Sequence, residues 1–327
     1  MRSLVALFLF LAGCAHSATM PSAASAPSQK LLLVVNQGSQ TMSFVDPVAM
    51  TVLSSIPMAP APHEIAVSED GKTAYVALYG NREVVGEQIA VIDVASRAEV
   101  KRLSLAGHKR PHGLVVRGSQ LFATSEMSKE VLRLDRASGA IDWTGATGAA
   151  GSHMIAVTAD AKRVYSGNIG SDSVSVIDVV EGETPKQITV GKGPEGIALS
   201  PDGSEVWAAH RGGGGVSVID TKSEKVVATL LPEVVSARVA FTPDGTKVLL
   251  FDMPSGNLIV IDRAARKELG RIALPGMPGG GIVAGDSRTA YVSVYEPFSV
   301  TRIDLQAMKI TGSVETGIAP DGMVLVE

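Results

Sequence analysis

Three histidines, His63, His112 and His153, are spaced 49 and 41 residues apart, and each directly follows a proline or a serine. Glu195 stands at the equivalent point, 42 residues after the third histidine. Histidine is the commonest metal ligand and titrates near neutral pH, so three imidazoles with a carboxylate suggest either a metal site or acid–base chemistry. Residues this far apart in sequence can act together only if a repeated fold places equivalent positions side by side.

The sequence contains such a repeat, marked by an aspartate about every 42 residues. Most of these aspartates directly follow an apolar pair such as Val91 and Ile92. A period in the forties built from short apolar strands is typical of a β-propeller, whose blades stack around an axis. The seven aspartates are Asp46, Asp93, Asp135, Asp178, Asp220, Asp262 and Asp304.

One repeat shows the strands of a blade clearly. Strand a begins at Glu195 and ends in the turn Ser200–Gly203, and strands b, c and d are predicted at 206–209, 216–220 and 225–230. We therefore predict an all-β, seven-bladed propeller of four-stranded antiparallel blades over residues 31–327. The chain enters the first repeat at strand b and ends with a lone strand a, so the C-terminal strand should pair into the N-terminal blade and close the ring.

The segments Pro-Glu-Gly-Ile-Ala (194–198), Ser-Pro-Asp-Gly (200–203) and Val-Ser-Val-Ile-Asp (216–220) resemble the YVTN or YncE-like seven-bladed propeller family. The resemblance covers residues 31–327 and implies the fold, but it assigns no chemistry.

In such a propeller the links from strand d to a and from b to c lie on one face. The first positions of the seven inner strands then ring the mouth of the central channel. His108, His210 and the longer loops around 81–88 and 108–110 fall on the same face, which is where ligands usually bind. The seven ring positions are His63, His112, His153, Glu195, Ala237, Gly279 and Asp321.

Several chemistries fit this mouth. His63, His112 and His153 could hold zinc, with Glu195 nearby. Copper is the alternative metal, since several methionines fall near this face by register: Met127, Met154, Met253 and Met277. The imidazoles could equally bind a ligand without metal, or simply line a polar channel.

Arg238 would suit an anionic ligand, although it could also form a salt bridge with Glu195 or Asp321. The predicted ligand-binding residues are His63, Glu64, His112, His153, Glu195, Arg238, Asp321, His210, Arg211 and Glu126.

We expect a protein that binds a small polar or anionic ligand. An enzyme is the first alternative: a hydrolase, lactonase or lyase with His112 or His153 as base or metal ligand, Glu195 as second acid–base group and Arg238 as oxyanion stabiliser. A protein-docking scaffold, with a partner from the cell envelope, is the second.

Residues 1–13 read as a signal peptide, since Arg2 precedes a short apolar run. Leu11–Cys14 resembles the lipobox of bacterial lipoproteins, which implies lipidation of Cys14, a flexible tether over 14–30, and anchoring at the outer membrane facing the periplasm. Cys14 is the only cysteine, so no internal disulfide is expected.

The net charge is −4 and the sequence has no basic block, which argues against nucleic acid as a partner. The aromatic content of 4% argues against a platform on which sugars or bases would stack.

Overall fold

The computed structural model describes residues 30–180 and 184–327, and this part of the chain consists of 28 β-strands joined by turns, with no helix. The signal peptide, Cys14 and the tether lie outside the described residues. No described segment forms a helix that could cross a membrane.

The strands form seven four-stranded antiparallel sheets, which confirms the predicted fold. Blade 1 contains β1 (Leu31–Asn36), β2 (Thr41–Asp46) and β3 (Thr51–Pro57). Blade 2 contains β4 (Pro62–Val67), β5 (Thr73–Gly80), β6 (Val85–Asp93) and β7 (Ala98–Ser104). Blade 3 contains β8 (Pro111–Arg117), β9 (Gln120–Ser125), β10 (Glu130–Asp135) and β11 (Ile141–Ala146). Blade 4 contains β12 (Ser152–Val157), β13 (Arg163–Asn168), β14 (Ser173–Asp178) and β15 (Lys186–Thr189).

The remaining blades repeat this order. Blade 5 contains β16 (Pro194–Leu199), β17 (Glu205–His210), β18 (Val216–Asp220) and β19 (Lys225–Leu230). Blade 6 contains β20 (Ser236–Phe241), β21 (Lys247–Asp252), β22 (Asn257–Asp262) and β23 (Lys267–Ala273). Blade 7 contains β24 (Met277–Val283), β25 (Thr289–Tyr295), β26 (Ser299–Asp304) and β27 (Lys309–Glu315), and β28 (Pro320–Val326) completes blade 1. In blade 5, β17 is one residue longer at each end than predicted.

Ring closure follows the prediction. β28 pairs antiparallel with β1, with Leu31 opposite Val326 and Val34 opposite Met323. The first blade therefore takes its inner strand from the C-terminal end of the chain and its other three strands from the N-terminal side. This pairing covers a sheet edge that would otherwise be exposed.

Burial differs with strand position in a way that the sequence anticipates. The middle strands are packed on both faces between neighbouring blades, and β1 (Leu-Leu-Leu-Val-Val-Asn) is buried along its whole length. The outermost strands are largely exposed, as in β3. The apolar core accordingly lies between adjacent blades; between blades 5 and 6, for example, the fully buried Trp207 packs edge-on against Phe241. This packing leaves the channel-facing ends of the inner strands free to carry polar groups.

The repeated aspartates are structural. Six of the seven accept hydrogen bonds from backbone amides two or three residues later, as Asp220 does from Ser223 (2.7 Å). Asp178, which lies shortly before the undescribed residues 181–183, pairs with Arg163 instead. These contacts give the aspartates a structural role in the turn that ends strand c.

Each inner strand has a β-bulge near its start, where its register against the next strand shifts. In blade 2 the shift lies between Pro62 and Ile65, and in blade 5 between Pro194 and Gly196. A bulge bends the strand and re-aims the side chains that it carries. In blade 2, it therefore falls on His63 and Glu64.

Candidate functional site

The three imidazoles predicted to share the channel mouth are adjacent in the structure. The ring centroids of His63 and His112 are 4.5 Å apart, and those of His112 and His153 are 3.5 Å apart. Each histidine is the second residue of the inner strand of its blade, on β4, β8 and β12. The repeat thus brings together three residues that are far apart in sequence.

His112, in the middle of this stack, is fully buried, and neither of its ring nitrogens has a hydrogen-bond partner among the described residues. Burial lowers the pKa of His112 well below its ordinary value, and the neighbouring His153 and His63 add to this effect. The imidazole is therefore neutral at physiological pH and retains an unshared electron pair.

His153 has carboxylates on both sides. Its Nδ1 lies 3.1 Å from Glu126 Oε2, and its Nε2 lies 3.6 Å from Glu195 Oε1. Burial lowers the pKa of His153, but the two carboxylates outweigh burial and raise it above the ordinary value. Both nitrogens of this ring are thus directed at protein groups.

Arg238, on the inner strand β20, connects three carboxylates. Its Nη2 lies 2.6 Å from Glu64 Oε1 and 3.3 Å from Asp321 Oδ1, and its Nη1 lies 3.2 Å from Glu195 Oε1. The predicted alternative, a channel salt bridge, is therefore present and involves Glu64 as well. One guanidinium thus contacts three buried acids, and of these Glu195 also pairs with Arg211.

The pKa values of these acids reflect the uneven sharing. Burial raises the pKa of Glu195, but the hydrogen bond to His153 and the charge of Arg238 outweigh burial and lower the pKa to about 2. Burial acts on Asp321 in the same direction, yet His63 and Arg238 bring its pKa below the ordinary value. For Glu64, burial prevails over Arg238 and raises the pKa.

His63 contacts groups on both of its nitrogens. Nδ1 lies 2.6 Å from Asp321 Oδ2, and Nε2 lies 2.5 Å from the side-chain nitrogen of Gln37. Tyr79 packs edge-on against the His63 ring and donates a hydrogen bond to Glu126 (3.0 Å). The hydroxyl of Tyr79 in turn accepts a hydrogen bond from Arg110 (3.0 Å).

A cavity of 360 Å³ adjoins the stack. It lies at the part of the ring where Ala237 and Gly279 take the positions that hold larger side chains in other blades. Its walls combine polar and apolar groups: Gln37, His63, Glu195, Arg211, Ala237, Arg238, Met253, Met277, Gly279, Tyr295 and Asp321. Arg211 donates to Glu195 (2.8 Å), but more than half of its side chain stays exposed.

The predicted residues thus divide into two groups. His63, Glu64, His112, His153, Glu195, Arg238 and Asp321 form one connected cluster, which Glu126 and Arg211 border. His210 lies outside it, because its Nδ1 donates to Gly214 O (3.0 Å) and its Nε2 accepts from the Gly191 amide (3.2 Å). His108 is also separate and pairs with Glu130 (2.7 Å).

The methionines also divide. Met253 and Met277 line the cavity, whereas Met127 is exposed and Met154 packs against an apolar cluster between blades. The geometry therefore does not gather the four methionines around the imidazoles.

Sequence reasoning missed Gln37, Tyr79, Arg110 and Tyr295. The sequence did contain a signal for Tyr79 and Arg110, namely the two longer loops around 81–88 and 108–110. Tyr79 lies just before the first of these loops, and Arg110 lies at the end of the second. In the structure the first of these is an extended hairpin, in which β5 and β6 continue to Gly80 and Val85.

The residues best placed to hold a metal are His63, Glu64 and His112, whose ligand atoms lie within 4.8 Å of one another. This group contains Glu64 where the sequence analysis placed His153. The physical reason is that both nitrogens of His153 face Glu126 and Glu195, whereas those of His112 have no protein partner among the described residues.

Comparison with solved structures shows the fold. The chain resembles hydrazine synthase of Kuenenia stuttgartiensis (TM-score 0.72, 18% identity, 84% of this chain and 92% of the other covered). It also resembles a functionally unknown protein from Desulfotomaculum acetoxidans (0.76, 11%, 91% and 99%). A third similar structure is dihydro-heme d1 dehydrogenase NirN in complex with DHE (0.65, 18%, 91% and 66%). At such low identity these likenesses support the fold alone.

The search of curated proteins found no match. The profile of the YNCE-like beta-propeller family matches residues 114–284, which is more than half of the chain. These residues include the predicted motifs of blade 5. The chain belongs to the YncE-like β-propeller family.

Proposed function

We propose that this propeller is a binding protein for a small polar or anionic ligand, which it takes into the cavity at the channel mouth. The observation that carries the proposal is the cavity itself, at the point where Ala237 and Gly279 interrupt a ring of larger residues. A volume of 360 Å³ is at the small end of the range for ligand pockets.

The charges around the cavity support a polar ligand. Arg211 and Arg238 face the carboxylates of Glu195 and Asp321 across the same space. Among the described residues, only Glu195 holds the Arg211 guanidinium, through one nitrogen, so the rest of its planar fork can pair with a carboxylate or phosphate. The apolar wall of Met253, Met277 and Tyr295 would contact the remainder of the ligand.

The geometry favours binding over catalysis. In the enzyme alternative, His153 or His112 acts as base and Glu195 as second acid–base group. Both nitrogens of His153 are directed at carboxylates, and Glu195 is held by two arginines that keep its pKa at about 2. A general base works best with a pKa near the operating pH and must reach the substrate proton.

The experiment is native mass spectrometry of the untagged protein, followed by identification of any released small molecule. A thermal-shift panel of small carboxylates and zwitterionic amino acids would run in parallel. Ala237→Leu fills the cavity without removing a polar group, so we expect it to reduce ligand occupancy. Ala137→Leu, at an exposed turn, is the matched control. Ligand binding that is equal in both variants contradicts the assignment to this cavity.

We also propose that the protein acts at the cell envelope, anchored by a lipid on Cys14 and facing the periplasm. The lipobox-like sequence Leu11–Cys14 supports this location. Metabolic labelling with a radioactive fatty acid should mark the wild type but not Cys14→Ala, which should fractionate away from the membrane. Equal labelling of the two proteins would contradict the anchor.

A further inference from the structure

The central imidazole of the stack lacks a structural role that would account for its burial. His112 is fully buried, and both of its nitrogens are without a hydrogen-bond partner among the described residues. A buried polar group without a partner costs about 1–3 kcal/mol, and a chain that only needed to fill this space could use an apolar ring. His112 therefore indicates a bound group that takes its lone pair.

Both nitrogens of His63 contact side chains that orient its ring. Its Nδ1 lies 2.6 Å from Asp321 Oδ2, and a proton on Nδ1 avoids the repulsion of two lone pairs at that distance, although the angles of this contact are not those of a hydrogen bond. Nε2 then carries the lone pair, which accepts a hydrogen bond from the Gln37 side-chain amide at 2.5 Å, so the Gln37 side chain must turn away when an ion binds there. A carboxylate that fixes the tautomer of a histidine is the usual outer-shell partner of a metal ligand.

Glu64 supplies the negative charge. Arg238 contacts its Oε1 at 2.6 Å but also pairs with Asp321 and with Glu195, so the charge that faces Glu64 is shared with other buried carboxylates, of which Glu195 has Arg211 as a second partner. Buried charges require compensation, and a divalent cation beside Glu64 would provide it. The guanidinium meanwhile fixes the orientation of the Glu64 carboxylate.

We propose that His63, Glu64 and His112 bind a divalent transition-metal ion at the inner edge of the cavity. Their ligand atoms already lie within 4.8 Å of one another, and two imidazoles with one carboxylate form a ligand set suited to zinc or ferrous iron. His63 also lines the cavity, so an ion bound to it would lie beside the proposed ligand pocket. The metal site goes beyond the proposed ligand binding and does not depend on it.

The test is isothermal titration of Zn²⁺ into the untagged, chelator-treated and dialysed protein. We expect saturation at one Zn²⁺ per chain, and visible absorption bands of a protein-bound ion when Co²⁺ replaces Zn²⁺. His112→Ala and the nearly isosteric Glu64→Gln should each weaken Zn²⁺ binding by roughly 100-fold or more, at or above the upper end of the loss seen for outer-shell partners.

Two control variants distinguish this site from metal binding by the remaining histidines of the same face. His108→Ala removes a histidine that pairs with Glu130, and it should leave Zn²⁺ affinity unchanged. His153→Phe keeps an aromatic ring in the stack and should change affinity less than 10-fold, whereas a site made of the three histidines would lose binding.

The outcomes decide the proposal in either direction. Absence of stoichiometric Zn²⁺ and Co²⁺ binding, or equal binding by wild type and Glu64→Gln, overturns it. Circular dichroism identifies any variant that fails to fold; if His112→Ala is such a variant, Glu64→Gln alone decides. Ala237→Leu distinguishes the two proposals, because it should block the ligand cavity and leave Zn²⁺ binding intact.

Discussion

Arg238→Met should strongly destabilise the propeller, although it changes a single residue in the channel. The guanidinium lies within 3.3 Å of one oxygen in each of Glu64, Glu195 and Asp321, and all three acids are less than 9% exposed. Methionine preserves much of the side-chain volume but removes the positive charge. The three carboxylates would then repel one another in a site with little access to water.

The size of the effect follows from the burial. Removing one partner of a buried ion pair costs about 3–5 kcal/mol, because the remaining charge is left uncompensated. For a domain of this length, each kcal/mol lowers the melting temperature by about 2 °C, so we expect a decrease of about 6–10 °C. The double variant Arg238→Met/Glu64→Gln should recover about 1–2 kcal/mol, since it removes the acid with the shortest contact.

The assay is thermal and urea denaturation at neutral pH in the presence of a chelator. Arg271→Met is the matched control, because Arg271 contacts Glu268 at 2.9 Å and Glu233 at 3.2 Å on the surface. Exposed pairs contribute at most about 1 kcal/mol, so this variant should melt close to wild type. If Arg238→Met costs no more than Arg271→Met, the carboxylates are not buried against a shared cation and the description of the cluster is wrong.

Three further predictions test the scaffold around the site. Deleting Met323–Glu327 removes most of β28, so the free energy of unfolding should fall by about 5 kcal/mol in urea titrations; removing Glu327 alone should cost less than about 1 kcal/mol. Glu205→Gln should lower stability by about 1–2 kcal/mol at pH 7. Burial raises the pKa of Glu205, but hydrogen bonds from Arg263 and Trp207 bring it below the ordinary value, so its contribution is present above pH 4.5 and the difference between the proteins should shrink on acidification. His210→Ala should cost about 1–3 kcal/mol and leave Zn²⁺ titrations unchanged, because both of its nitrogens bind backbone.

The sequence predicted the architecture because the architecture is repetitive. An aspartate that ends strand c, as Asp220 does, recurs with a fixed period and bonds to nearby backbone, so its role is local and readable. The same periodicity placed His63, His112 and His153 on equivalent strands, and the rings are in fact neighbours. Strand connectivity alone could give this result, because it depends on backbone topology.

The partners of each side chain could not be predicted in this way. Glu126 contacts His153 and leaves His112 without this partner. It lies in the link that follows β9, and the repeat does not determine the geometry of that link. Gln37 reaches His63 from the first blade and has no equivalent elsewhere among the described contacts. Glu64 and Glu195, which both contact Arg238, lie at β-bulges, where the strand register shifts. These contacts are made by residues that differ from one blade to the next, so the period of the sequence does not predict them.

The division between scaffold and site explains why such exceptions are tolerated here. Stability comes from apolar packing between blades, as around Trp207, and this packing does not involve the channel-facing positions. Those positions can therefore hold an imidazole without a hydrogen-bond partner among the described residues and three carboxylates that share their contact with Arg238, at a cost in stability that the core of a seven-bladed ring absorbs. A channel under selection for stability alone would replace His112 and Glu64 with apolar residues. Their presence is the reason for the two proposals, a bound cation and a polar ligand at the mouth, and the Zn²⁺ titrations of Glu64→Gln and Ala237→Leu are the most informative pair of experiments.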